Sequence, residues 1–314
     1  MSSSSRRSFI GGALGAAGLV AAGGAGFGIA RASDTDDATA GSPHGSAPRA
    51  DLAYADTVYH YLRVTADGSR LTVEAIGTDG KAFDTMSLTQ PQLAPGTPMV
   101  NGASFTAQVA PGGLVSIFGQ GLAARTGQAA SVPLPTDLAG TTVSLNGIQL
   151  PLIYASPSQI NAQLPVGVDG NGTLRVTTAS GFAESAVTVS RTAPAIFSNG
   201  VLHANYAQVN AAAPARGGES LILYLTGLGQ VDGPIASGSA APVTPLLRVA
   251  VPVEVAIGDV TIPASFAGLS PGFVGLYQVN VVVPMDLPAK VYTLRVSTIG
   301  STSTPVNIQV QRDP

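Results

Sequence analysis

The chain has 314 residues, 45% of them hydrophobic and only 11% charged, with 38 Gly and 23 Pro. That apolar share can fill cores, while a net charge of −3 gives no Lys/Arg surplus to displace counterions from a nucleic-acid backbone. With no Cys at all, a disulfide framework, a thiolate zinc site and a thiol nucleophile are excluded.

The first elements are an address. Arg6 and Arg7 stand before Ile10–Ala30, an uncharged stretch dominated by Gly and Ala. Such weak hydrophobicity suits an export segment better than a membrane anchor, and Ala30-Arg31-Ala32 offers a cleavage site of the A-x-A kind. The segment resembles a twin-arginine export signal, with Arg6, Arg7, Ala30 and Ala32 as the targeting residues. Removing residues 1–32 would leave 12 basic and 18 acidic side chains, a net of −6, and no membrane span. The expected location is therefore outside the cytoplasm: periplasmic, cell-surface or extracellular.

Residues 33–50 are Ser, Asp, Ala, Gly and Pro without periodicity, and read as a flexible linker. Within 51–95, three alternating runs are separated by Asp67-Gly68 and Asp79-Gly80, which predicts a three-strand meander. The run YHYLRVTADGSRLTVEAIGTDGKAFDTMSL resembles the last β-meander of bacterial calcineurin-like metallophosphoesterases. The motifs by which those enzymes hold two metals, D-x-H and G-N-H-[DE], do not occur in this chain. The resemblance thus implies a tail without its catalytic part.

The remainder repeats. Gln159-Ile160-Asn161 recurs as Gln278-Val279-Asn280, and Thr173-Leu174-Arg175-Val176 as Thr293-Leu294-Arg295-Val296. Pro111-Gly112-Gly113 and Arg216-Gly217-Gly218 head the two copies. A period above 100 residues means tandem domains, here 96–197 and 198–314. Short apolar runs bounded by turn signals make each copy all-β, and Asn146-Gly147 predicts a tight hairpin. The expected fold class is all-β, with two tandem immunoglobulin-like β-sandwiches after a meander and linker. Ile160, Val279, Leu174, Val176, Leu294 and Val296 should face cores, with Arg175 and Arg295 on the opposite face.

The segments VNGASFTAQVAPGGLVSIFGQGL, NGIQLPLIYASPSQINAQLP, ARGGESLILYLTGLG and FAGLSPGFVGLYQVNVVVP resemble the Solibacter-type C-terminal domain family over residues 99–311. The resemblance implies an exported pair of IPT/TIG-type sandwiches and no defined chemistry.

Candidate sites are few. Gln159, Asn161, Gln278 and Asn280 put paired amides on one strand face of each copy, either as a binding stripe or as partners for nearby groups. Tyr277 and Phe273 suggest an aromatic platform, or a loop plugged into the core. Gly227-x-Gly229 reads as a turn, not a nucleotide loop. Asn171-Gly172-Thr173 matches a glycosylation sequon and reads as a tight turn. His203 and His60 have no acid near them in sequence that would mark a triad. No catalytic, cofactor or metal residues are assigned. The expected function is a non-catalytic interaction or spacer module with an unidentified protein or glycan partner. The alternatives are a truncated metallophosphoesterase and a glycan-binding module.

Overall fold

A computed structural model describes residues 59–311, and the export segment, the linker and His44 lie outside them. Among the described residues there is no α-helix. They fall into two compact units, the meander ending at Thr89 and the residues from Gln90 onward.

The meander is β1 (His60–Asp67), β2 (Arg70–Gly77) and β3 (Ala82–Thr89), in the order β1-β2-β3. Opposed residues of an antiparallel pair share a face. The register Leu62↔Ala75, Val64↔Val73, Leu71↔Leu88 and Val73↔Met86 therefore gathers these apolar side chains on one side. The other side carries the Arg63–Glu74 ion pair at 2.8 Å together with Tyr61 and Ile76, the latter fully buried.

The first sandwich stacks two sheets. One contains β4 (Met99–Asn101), β5 (Leu114–Gln120), β8 (Leu152–Ala155) and β9 (Gln159–Gln163). In it β9 lies between β5 and β8, and β4 pairs with β5. The other runs β7-β6-β10-β11, from β6 (Thr141–Leu145), β7 (Ile148–Gln149), β10 (Gly170–Thr178) and β11 (Gly181–Val189). Asn146 and Gly147 both have positive φ, 51° and 81°, and close the β6–β7 hairpin as their sequence predicts. Asn171 lies in β10 opposite Thr188, so the sequon is strand and not the turn expected from its glycine.

The second sandwich repeats that plan. Its four-stranded sheet has the order β12-β13-β17-β16, from β12 (Ala195–His203), β13 (Ser220–Thr226), β16 (Phe266–Leu269) and β17 (Tyr277–Val282). Facing it are β15-β14-β18-β19, from β14 (Glu254–Ile257), β15 (Val260–Pro263), β18 (Lys290–Thr298) and β19 (Val306–Gln311). Strand β12 crosses residue 197 and pairs with β13.

The duplicated residues occupy matching places. Ile160 sits opposite Ile117, Val279 opposite Leu223, and both are fully buried. Leu174, Val176, Leu294 and Val296 are also fully buried, whereas Arg175 and Arg295 are exposed. The two cores are separate apolar clusters, one centred on Ile117, Leu145, Leu152 and Ile160, the other on Leu223, Val255, Val279 and Leu294.

Candidate functional site

Two features stand out once the cores are set aside: the junction between the sandwiches and the outer faces of the two amide-bearing sheets.

The junction is polar and buried. Thr226 ends β13, and its Oγ1 accepts the Leu114 backbone N–H at 2.8 Å and donates to the Gly275 carbonyl at 3.1 Å. Thr226 is fully buried, so this hydroxyl is what pairs an N–H that the end of β5 leaves over. Gln163, at the end of β9, works in the same way. Its amide N–H donates to Gly112 O at 3.1 Å and its carbonyl accepts Gly238 N–H at 2.6 Å. Around it, Leu134 N donates to Gly238 O and Val166 N to Ser237 Oγ. Asn101 Nδ2 donates to Ala193 O on the connecting segment at 3.0 Å. Five of these hydrogen bonds thus join one sandwich to the other or to the connecting segment.

Glycines make the approach possible. Gly227 has φ +82°, and a Cβ there would lie 2.1 Å from Ala193 O; Gly229, at +84°, would put one 2.5 Å from Arg191 O. The Gly227-x-Gly229 motif is accordingly an irregular stretch packed on the connecting segment, and not the tight turn expected from its glycines. Tyr277 is buried beside this stretch, and its hydroxyl donates to Gly229 O. Burial raises its pKa above the ordinary tyrosine value. Tyr277 is therefore no part of an exposed platform, and Phe273 is only partly buried instead of inserted into the core. A narrow crevice lined by Gly112, Gln163, Gly229 and Tyr277 opens at the junction.

The amide pairs adopt the same internal bond in both copies. Gln159 Nε2 donates to Asn161 Oδ1 at 2.8 Å, and Gln278 Nε2 to Asn280 Oδ1 at 2.9 Å. Their surroundings differ. Asn161 lies opposite Ser116, whose hydroxyl donates to Asn161 Oδ1 at 3.0 Å, and both residues are buried. Asn280 lies opposite Ile222, which has no hydroxyl, and Gln278 and Asn280 are both partly exposed.

His203 meets an acid that its sequence neighbourhood did not disclose. Nδ1 contacts Glu219 Oε1, and Nε2 lies 3.1 Å from Ala213 O. Both ring nitrogens are thus directed at oxygens of the protein itself. Glu219 Oε2 also accepts Arg216 N–H, which makes the cluster a brace for the 204–219 connection. Among the described residues, no three of His, Asp and Glu converge in a way that could hold a metal ion. Arg6, Arg7, Ala30 and Ala32 lie outside the described residues.

Residues 98–190, the first sandwich, match the IPT/TIG domain family. The described chain is all-β, built as tandem immunoglobulin-like sandwiches. No curated protein matches the chain. Among solved structures, it is similar to the surface glycan-binding protein of the mixed-linkage glucan utilization locus of Bacteroides ovatus at 14% identity and TM-score 0.31, covering 77% of this chain and 53% of that one. A surface glycan-binding protein from Prevotella bryantii matches at 15% identity and TM-score 0.24, covering 70% and 42%. The titin Ig tandem A164-A165 matches at 11% identity and TM-score 0.19, covering 71% and 97%. The chain spans about half the length of the first two. Likeness at this level carries nothing about ligands.

Proposed function

We propose that the protein is an exported, non-catalytic module that holds two β-sandwiches in one fixed arrangement, as a spacer or interaction unit at or outside the cell envelope. The observation that carries this reading is the buried junction of Thr226, Gln163 and Asn101. A flexible tandem leaves such backbone groups to water, because separating the domains then costs nothing. Here separation exposes Leu114 N–H, Gly238 N–H and Ala193 O together, so the geometry favours a single body. The occupied ring of His203 is consistent with a structural and not a catalytic role.

Export rests on Arg6 and Arg7. Replacing both by Lys should stop export and leave unprocessed chain in the cytoplasm, read by cell fractionation and immunoblotting. Unchanged export and processing of that variant would refute the export half of the reading.

A further inference from the structure

We propose that the outer face of the β12-β13-β17-β16 sheet binds a neutral polysaccharide; this rests on the interaction-module reading and names its ligand class. The register places the face. Gln278 lies opposite Tyr224 and Gly268, and Asn280 opposite Ile222 and Phe266. These residues alternate with the core-facing Leu223, Val279, Val281 and Ala267, so they point away from the core.

Hydrogen-bond capacity singles out the amide pair. After the bond from Gln278 to Asn280, the pair retains one Gln278 N–H, the Gln278 carbonyl and both Asn280 N–H groups. In the first sandwich Asn161 is buried and its Oδ1 also accepts the Ser116 hydroxyl, while Gln159 is partly exposed. Ile222 replaces that serine in the second, and Gln278 and Asn280 are both partly exposed. Duplication has therefore kept the residues, removed the hydroxyl that shares the asparagine Oδ1 in the other copy, and brought the asparagine partly into solvent.

Aromatic planes flank the amides. The Arg248 guanidinium lies 5.0 Å from the centre of the Phe266 ring. A Cβ at Gly268 would come within 2.8 Å of Phe266 Cζ, so glycine lets this ring lie down on the sheet. The Arg248 segment is held by its own N–H on Asp232 Oδ1 at 2.8 Å. Across the pair, Tyr224 lies opposite Gln278 and is partly exposed, and Tyr206 is 66% exposed.

The chemistry chooses among occupants. An apolar protein surface would strip water from the amides and return no partner. A strongly anionic polymer needs several cations, and the charged groups set here are Arg248, already stacked on Phe266, with Asp232 next to it. Sugar hydroxyls each donate and accept, as the amides do, and sugar C–H faces suit aromatic planes.

The test is affinity electrophoresis of the full chain in gels containing dextran, a soluble mixed-linkage β-glucan or galactomannan, with alginate as the anionic control. Retardation by at least one neutral polymer is expected, with dissociation constants raised at least tenfold by Gln278→Ala combined with Asn280→Ala. Arg248→Ala, at an exposed position, should weaken retention several-fold even where the double variant folds poorly; Arg175→Ala, on the other sandwich, should not. Migration unchanged by all three neutral polymers, retardation by alginate alone, or retention indifferent to both Gln278/Asn280 and Arg248 substitutions would overturn the proposal. A rigid tandem that ignores these polymers would remove the ligand class and leave the spacer reading; a flexible tandem that binds them would do the reverse.

Discussion

Thr226 and Leu114 belong to different sandwiches, yet the hydroxyl of one accepts the backbone N–H of the other at 2.8 Å. Thr226→Val keeps the shape and removes the hydroxyl, leaving Leu114 N–H and Gly275 C=O unpaired in a buried setting. Each unpaired group is worth about 1–3 kcal/mol. Urea unfolding should show a loss of at least about 1 kcal/mol; a variant as stable as the native chain would mean the hydroxyl is dispensable.

Core substitutions should separate the two faces of the duplicated strands. Ile160→Ala removes a fully buried side chain and should cost about 2–5 kcal/mol, with Val279→Ala somewhat less because it loses less volume. Arg175→Ala breaks an exposed pair with Glu184 at 2.7 Å and a stack on Phe182 at 4.1 Å. Those contacts together amount to about 1 kcal/mol. A lower denaturant midpoint for Arg175→Ala than for Ile160→Ala would contradict the assigned faces.

Alkaline pH should weaken the protein through Tyr277. Burial holds its folded pKa above the ordinary value of about 10. The stability linked to this group is complete below about pH 10 and declines as pH rises beyond it, since the unfolded chain ionises first. The native chain should lose more stability between pH 8 and pH 11 than Tyr277→Phe does, read by urea melts at both values. At pH 8 the substitution itself should cost about 1 kcal/mol for the lost bond to Gly229 O. Equal alkaline losses in both proteins would contradict the role given to Tyr277.

Phosphoesterase activity is expected to be absent. The purified chain with added Mn²⁺, Zn²⁺ or Fe²⁺ should not hydrolyse p-nitrophenyl phosphate or its bis ester above a buffer blank. Turnover that follows the protein through purification would contradict the non-catalytic reading.

Strand alternation and the repeat made the cores legible before any coordinates: Ile160 and Val279, Leu174 and Leu294 are buried where period two puts them. The Asn146-Gly147 hairpin was equally local. The junction was not legible, because Gln163 meets Gly238 across 75 residues and Thr226 meets Leu114 across 112. Gln163 also lacks a counterpart, since Val282 holds its place in the second copy, so the repeat gave no hint of it. The Glu219–His203 contact was hidden likewise, since the two face each other only after β12 and β13 pair. Even the amide pairs, alike in sequence, differ in that Asn161 is buried against Ser116 while Asn280, opposite Ile222, is partly exposed.

The fixed arrangement of the two sandwiches is the centre of this account, and the chain's lack of cysteine makes it directly measurable. Ile148 and Val291 are exposed, one on each sandwich, at 48% and 57%. Nitroxide labels at Ile148→Cys and Val291→Cys should give a single narrow distance distribution by pulsed electron–electron resonance. Adding Thr226→Val and Gln163→Leu should broaden it. A broad or multiple distribution in the otherwise native chain would contradict the account.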